Sequence, residues 1–95
     1  MKKADIITFA RDQGAQVALK SFDNIEVISV SVDKANTRID ACKHSLFIKE
    51  INSYWEIGFS HNTKTRLLMD KEVTAILEIW CQKPTDELLK TYVES

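Results

Sequence analysis

The side chains best suited to chemistry in this chain are two cysteines and two histidines. Cys42 and His44 lie two residues apart, so on a strand both would point the same way, and His61 and Cys81 could complete a tetrahedral zinc site. Zinc sites are normally built from paired C-x-x-C or H-x-x-x-H hooks, and the chain has neither. A thiol nucleophile at Cys42 would need a base beside it in space, and nearness of His44 in sequence does not supply one. Ser60 and His61 are neighbours, so on a strand they would face opposite sides and form no dyad. Asp40, Glu50 and Glu56 could furnish paired carboxylates, as in any small domain, but Glu56 has Lys49 as an expected partner. No G-x-G-x-x-G, P-loop or H-E-x-x-H is present, and two glycines cannot build a phosphate cradle. The expectation is a chain with no catalytic residue, no metal and no cofactor, hence not an enzyme.

Residues 60–66, SHNTKTR, are the most interesting polar segment: His61, Lys64 and Arg66 stand among Asn62, Thr63 and Thr65. As a loop after a strand they could hold a phosphate, a carboxylate or an acidic partner. The plainer alternative, a solvated connection, is the commoner one. Tyr54 and Tyr92 are candidate interface aromatics, because buried aromatic anchors dominate contact energies. Trp55 and Trp80 are assigned to the core.

The net charge of −1 argues against generic nucleic-acid binding, since phosphate affinity grows with the cations offered. Residues 70–95 carry three cations and six anions, an acidic third that could face a basic partner. Ninety-five residues are enough for one domain, 1–95, with one core. The cysteines are too few and isolated for a disulfide framework, and the apolar run after Met1-Lys2-Lys3 is broken by Asp5, Arg11 and Asp12. A cytoplasmic protein with both thiols reduced is therefore expected.

The elements that must position these residues follow from periodicity. Ile6, Ile7 and Ala10, with Phe9 at the edge, predict a helix over 3–13 that Gly14 can end. Residues 15–22 read either as a strand or as a continuation of that helix through Gly14; the strand is preferred. IEVISVSVD, 25–33, is a strand with Ile28, Val30 and Val32 on one face. Ile39 and Ala41 alternate with Arg38, Asp40 and Cys42, which suits a charged edge strand.

LFIKEINSYWEIGFS, 46–60, predicts a hairpin with Asn52-Ser53 as a two-residue turn. That turn sets Ile51 opposite Tyr54, Glu50 opposite Trp55, Lys49 opposite Glu56, Ile48 opposite Ile57, Phe47 opposite Gly58 and Leu46 opposite Phe59. One face then collects Leu46, Ile48, Trp55, Ile57 and Phe59, and the other an ion pair of Lys49 and Glu56. Asp70 is placed to cap a helix over 71–82 with Val73, Ile76, Leu77 and Trp80 as its apolar stripe. Pro84 ends that run, and Thr85 caps a short helix bearing Leu88, Leu89, Tyr92 and Val93. The fold class is α+β: a small antiparallel sheet of three to five strands, with an N-terminal helix and two C-terminal helices packed on one face.

Size, charge asymmetry and missing catalytic equipment point to a small protein-binding domain acting by occlusion: an inhibitor, antitoxin or immunity protein that neutralises a toxin, with a nuclease as the guess. The partner-binding candidates are Asp33, Asp40, Tyr54, His61, Lys64, Arg66, Asp86 and Glu87. The alternative is single-stranded nucleic-acid binding through the sheet, using Tyr54, Lys43, Arg38, Lys64, Arg66 and the basic 61–66 loop. It needs aromatics on an exposed sheet face. The evident aromatic cluster is expected beneath the helices instead. Neither reading involves a membrane.

Overall fold

Backbone preferences account for the two ends of the first helix in the computed structural model, which describes residues 1–32, 44–60 and 63–93. Helix α1 spans Lys3–Asp12, and at its start the Lys2 N–H donates to Asp5 Oδ2 at 2.7 Å. It ends in a Schellman turn: Gly14 has φ +91°, its N–H donates to the Arg11 carbonyl at 2.9 Å, and the Ala15 N–H donates to the Ala10 carbonyl at 3.2 Å. That left-handed glycine frees residues 16–22 to leave the helix, so the strand reading holds. Ile6 and Ala10 are fully buried, with Ile7 and Phe9 partly buried beside them.

Five strands follow: β1 (Gln16–Phe22), β2 (Ile25–Val32), β3 (His44–Ile51), β4 (Tyr54–Ser60) and β5 (Thr63–Lys64). They form one antiparallel meander in the order β1-β2-β3-β4-β5. Helices α2 (Asp70–Trp80) and α3 (Asp86–Lys90) come after the sheet. The three described helices pack on the same face, against Ile28, Val30, Leu46, Ile48, Trp55 and Ile57. The expected α+β architecture is what the chain adopts. No described helix is long and apolar enough to cross a membrane.

Both tight hairpins turn on residues with positive φ: Asp23 (50°) and Asn24 (67°) between β1 and β2, Asn52 (48°) and Ser53 (71°) between β3 and β4. Two consecutive left-handed residues make a turn whose twist matches that of the strands it joins, and Asn and Asp tolerate it best. Ser53 is the ill-suited member. Ser53→Gly should stabilise the domain by about 0.5 kcal/mol, the relief of left-handed strain less the added entropy of the unfolded chain. A denaturation midpoint that falls on this substitution would contradict the turn assignment.

The β3–β4 register agrees with expectation from Phe47↔Gly58 through Ile51↔Tyr54. The ion pair does not. Lys49 stands opposite Glu56, yet the carboxylate of Glu56 reaches Lys64 of β5 at 3.7 Å. A third strand on the outer side of β4 offers Glu56 a second cation, which a two-stranded reading cannot include. The proposed edge strand around Ile39 and Ala41 lies outside the described residues.

Helix α2 also starts differently. Asp70 was expected as its cap, but Met69 occupies that position and Asp70 is the first helical residue. The Met69 N–H is satisfied by Glu72 Oε1 at 3.0 Å. Asp70 is drawn away by stronger donors: it accepts from the Trp55 indole at 2.6 Å and pairs with the Met1 amine at 2.6 Å. The helix closes at Trp80, two residues earlier than its apolar periodicity implied. Val73, Ile76, Leu77 and Trp80 form the buried stripe as expected, and Thr85 caps α3 through the Glu87 N–H at 3.3 Å.

Candidate functional site

The described candidate residues do not converge. Asp33, Asp40 and His61 lie outside the described residues, as do Cys42, Arg38 and Lys43. Asp86 and Glu87 are exposed in the first turn of α3, on the helical side of the molecule. Tyr54 projects from the β3–β4 turn on the opposite side of the sheet, 47% exposed. Lys64 and Arg66 flank Thr65 along the outer edge of β4.

The part of the basic segment from Thr63 onward runs alongside the sheet, and Asn62, like His61, lies outside the described residues. Thr63-Lys64 pair with β4, and the chain continues antiparallel beside it, with the Thr65 N–H donating to the Ile57 carbonyl at 2.9 Å. Beyond Thr65, the Trp55 N–H donates to the Leu68 carbonyl, also at 2.9 Å. Thr65 is buried; its Oγ1 accepts from the Ile57 N–H at 3.0 Å and donates to the Arg66 carbonyl at 2.8 Å. Arg66 grips Glu72 of α2 with its Nη2 2.6 Å from Oε2, and its guanidinium lies 5.6 Å from the Tyr92 ring centroid. The Arg66 N–H also holds the Tyr92 carbonyl at 2.9 Å. Arg66 thus fastens α2 and the C-terminal segment to the sheet edge. Its charge-assisted bond, with the Met69 N–H, holds the Glu72 carboxyl below the usual range.

The acidic third is likewise partly consumed. The Met1 amine, then the Trp55 indole, hold Asp70 below the ordinary carboxylate range. A carboxyl with a depressed folded-state pKa stabilises the fold above its unfolded pKa, and that contribution disappears as pH falls through the lower, folded value. Trp55 emission should therefore stay constant from neutral pH into the ordinary carboxylate range and change only below it, when Asp70 takes up a proton. A transition centred at or above the usual aspartate pKa would show that the Trp55–Asp70 bond is absent.

Cys81 sits buried just past α2, and burial pushes its thiol up to about 11, so it is held as the neutral thiol at neutral pH. Among the described residues no three His, Cys, Asp or Glu side chains gather into a metal-holding group.

What the sequence reading missed is the other face of the sheet. The register that sends Ile28, Ile48 and Ile57 inward sends a second set outward. Phe22, Ile25, Phe47 and Tyr54 are 54%, 47%, 39% and 47% exposed. Phe22 pairs with Ile25 across β1–β2, and Ile51 pairs with Tyr54 across β3–β4, so an apolar strip crosses four strands at one end of the face. Val27 and Phe47 continue it inward along β2 and β3. Lys20, Lys49 and Lys64 lie on this face with Glu56 as the one described acid. No described helix covers it. At the strip's edge a shallow groove is lined by Ser53, Tyr54, Met69, Asp70 and Lys71. The signal was available: Phe22, Ile25 and Phe47 stand at strand positions that alternate with the inward set, and half-buried sheets rarely spend aromatics on solvent.

No family model matches the chain, and neither a curated protein nor a solved structure matches it.

Proposed function

We propose that this chain is a protein-binding domain that acts by occlusion, in the manner of an inhibitor, antitoxin or immunity protein that neutralises a toxin. The observation that carries the reading is the sheet face that no described helix covers, on which Phe22, Ile25 and Tyr54 stand exposed along one end and Phe47 stands exposed further along β3. An apolar, aromatic centre with a charged rim is how specific protein contacts are composed. The charge of the rim selects the partner. Three lysines and one glutamate favour a surface that brings carboxylates around an apolar centre. A basic nuclease would have to be met from the other side, by Glu78, Asp86 and Glu87, and Glu87 already has Lys90 at 3.1 Å.

A second reading is favoured by the same face. Exposed aromatics interleaved with lysines are what a sheet needs to stack and screen single-stranded nucleic acid. Trp55 and Phe59 lie on the helix-covered face, while Phe22, Phe47 and Tyr54 stand on the opposite one.

One pair of variants separates the readings. The chain and its triple variant Phe22→Ser, Phe47→Ser, Tyr54→Ser are immobilised in parallel and exposed to lysate of the source cell, and both are separately titrated with single-stranded oligonucleotides at low salt. The expected result is a protein retained stoichiometrically by the native chain, with affinity falling with salt. The variant should lose about 30-fold or more in affinity, the scale of removing one central aromatic anchor. Retention by neither column, or equally by both, removes the proposal. Oligonucleotide binding that the triple variant abolishes would move the assignment to the second reading.

A further inference from the structure

Strand β1 is an edge with nothing described beyond it. Among the described strands it pairs with β2 alone, spans Gln16–Phe22, and all its residues but Val17 are exposed. The Asp23-Asn24 turn makes Phe22 and Ile25 the closing hydrogen-bonded pair. Ladder alternation then directs the peptide groups of Gln16, Ala18, Lys20 and Phe22 toward β2, and those of Val17, Leu19 and Ser21 away from the sheet. Natural edges are usually short, charged or covered. The opposite edge obeys that rule: β5 is two residues long and carries the exposed Lys64. β1 breaks it, with seven residues, one charge at Lys20, and Leu19 49% exposed at its midpoint.

We infer that β1 pairs with β1 of a second copy of this chain, antiparallel about a two-fold axis at Leu19, continuing the five-stranded sheet into one of ten. Three conditions select this register. Outward-facing peptide groups must meet outward-facing ones, so Val17, Leu19 and Ser21 pair among themselves. Lys20 must not oppose its own copy, which excludes an axis at Lys20. An axis at Ala18 leaves Ser21 and Phe22 without partners. Centring on Leu19 uses the whole strand: Leu19 opposes Leu19, Ala18 opposes Lys20, Val17 opposes Ser21 and Gln16 opposes Phe22. The edge thus meets itself with matching backbone direction and with no like charges directly opposite, as a two-fold contact requires. Such an axis stands perpendicular to the sheet, so both open faces remain free on the same side. The inference therefore does not depend on what those faces bind.

The test is molar mass by sedimentation equilibrium from micromolar to sub-millimolar concentration. The native chain should pass from monomer to dimer. Leu19→Pro removes the two central N–H donors at a position where the isolated domain needs none, and Leu19→Lys keeps the backbone but opposes two charges. Leu19→Pro should weaken dimerisation about tenfold or more, the scale of losing two hydrogen bonds, and Leu19→Lys by a few-fold, the scale of a like-charged cross-strand pair, each with an unchanged circular dichroism spectrum. If Leu19→Pro unfolds, Leu19→Lys carries the test alone. A native chain monomeric throughout would overturn the inference. So would a dimer unaffected by the Leu19 variants, or one lost instead on Phe47→Ser.

Discussion

Replacing Trp80 with alanine should lower the unfolding free energy by about 3–5 kcal/mol. Trp80 is 1% exposed at the end of the buried stripe of α2, in one cluster with Ile6, Ala10, Trp55 and Leu89. Truncation removes the transfer energy of the indole and leaves a void between helices and sheet that neighbours on α1 and α3 cannot fill without moving. Single domains commonly hold about 5–15 kcal/mol in all, so the loss takes roughly a fifth or more of the stability. Urea unfolding followed by circular dichroism should show a lower midpoint with an unchanged slope. A loss under about 1 kcal/mol would mean that α2 does not seat this side chain against the sheet.

Thr65→Val should cost about 1–3 kcal/mol, although it preserves shape and adds apolar surface. In this stretch the side chain replaces a backbone acceptor: the pairing of β4 with β5 shifts register between Gly58 and Ser60, and the Ile57 N–H finds Thr65 Oγ1 at 3.0 Å. Valine leaves that buried donor with no partner, and an orphaned N–H costs its full desolvation. Amide exchange gives a sharper readout than stability alone. Ile57 should exchange far faster in the variant, while Lys49 and Ile48 of the neighbouring strand keep their protection. Unchanged exchange at Ile57 would mean that water or a backbone carbonyl had taken over, and the hydroxyl would then have no structural role.

Thr65 also shows why the 60–66 segment misleads a reader of sequence. Its polar residues look like a solvated or anion-holding loop because threonine and arginine are common in both. Which of them face inward depends on β4 lying alongside, and on α2 presenting Glu72 to Arg66 at 2.6 Å. Those partners are six or more residues away, so no local rule brings them in. Asp70 is the same case: its type and position before an apolar stripe satisfy the rule for a cap, but the Trp55 indole, fifteen residues back along the chain, competes for the carboxylate.

The Asp23-Asn24 hairpin was legible and passed over. Both residue types accept left-handed backbone, and their places between Phe22 and Ile25 match those of Asn52-Ser53 between Ile51 and Tyr54. Reading it would have settled the strand at 16–22 and placed Phe22 on the outward face at once.

The chain's own residues determined the inward half of the molecule. Period-two alternation through 46–60, the i, i+3, i+4, i+7 stripe of α2 and the stop at Gly14 each arise within one or two turns of backbone, where sterics and burial act on neighbours in sequence. Only the tertiary structure decided the outward half: which sheet face the described helices cover, which charges are spent on internal pairs, and which described strand ends the sheet. Those outcomes depend on strand order and on distant side chains competing for one partner, and sequence spacing carries neither.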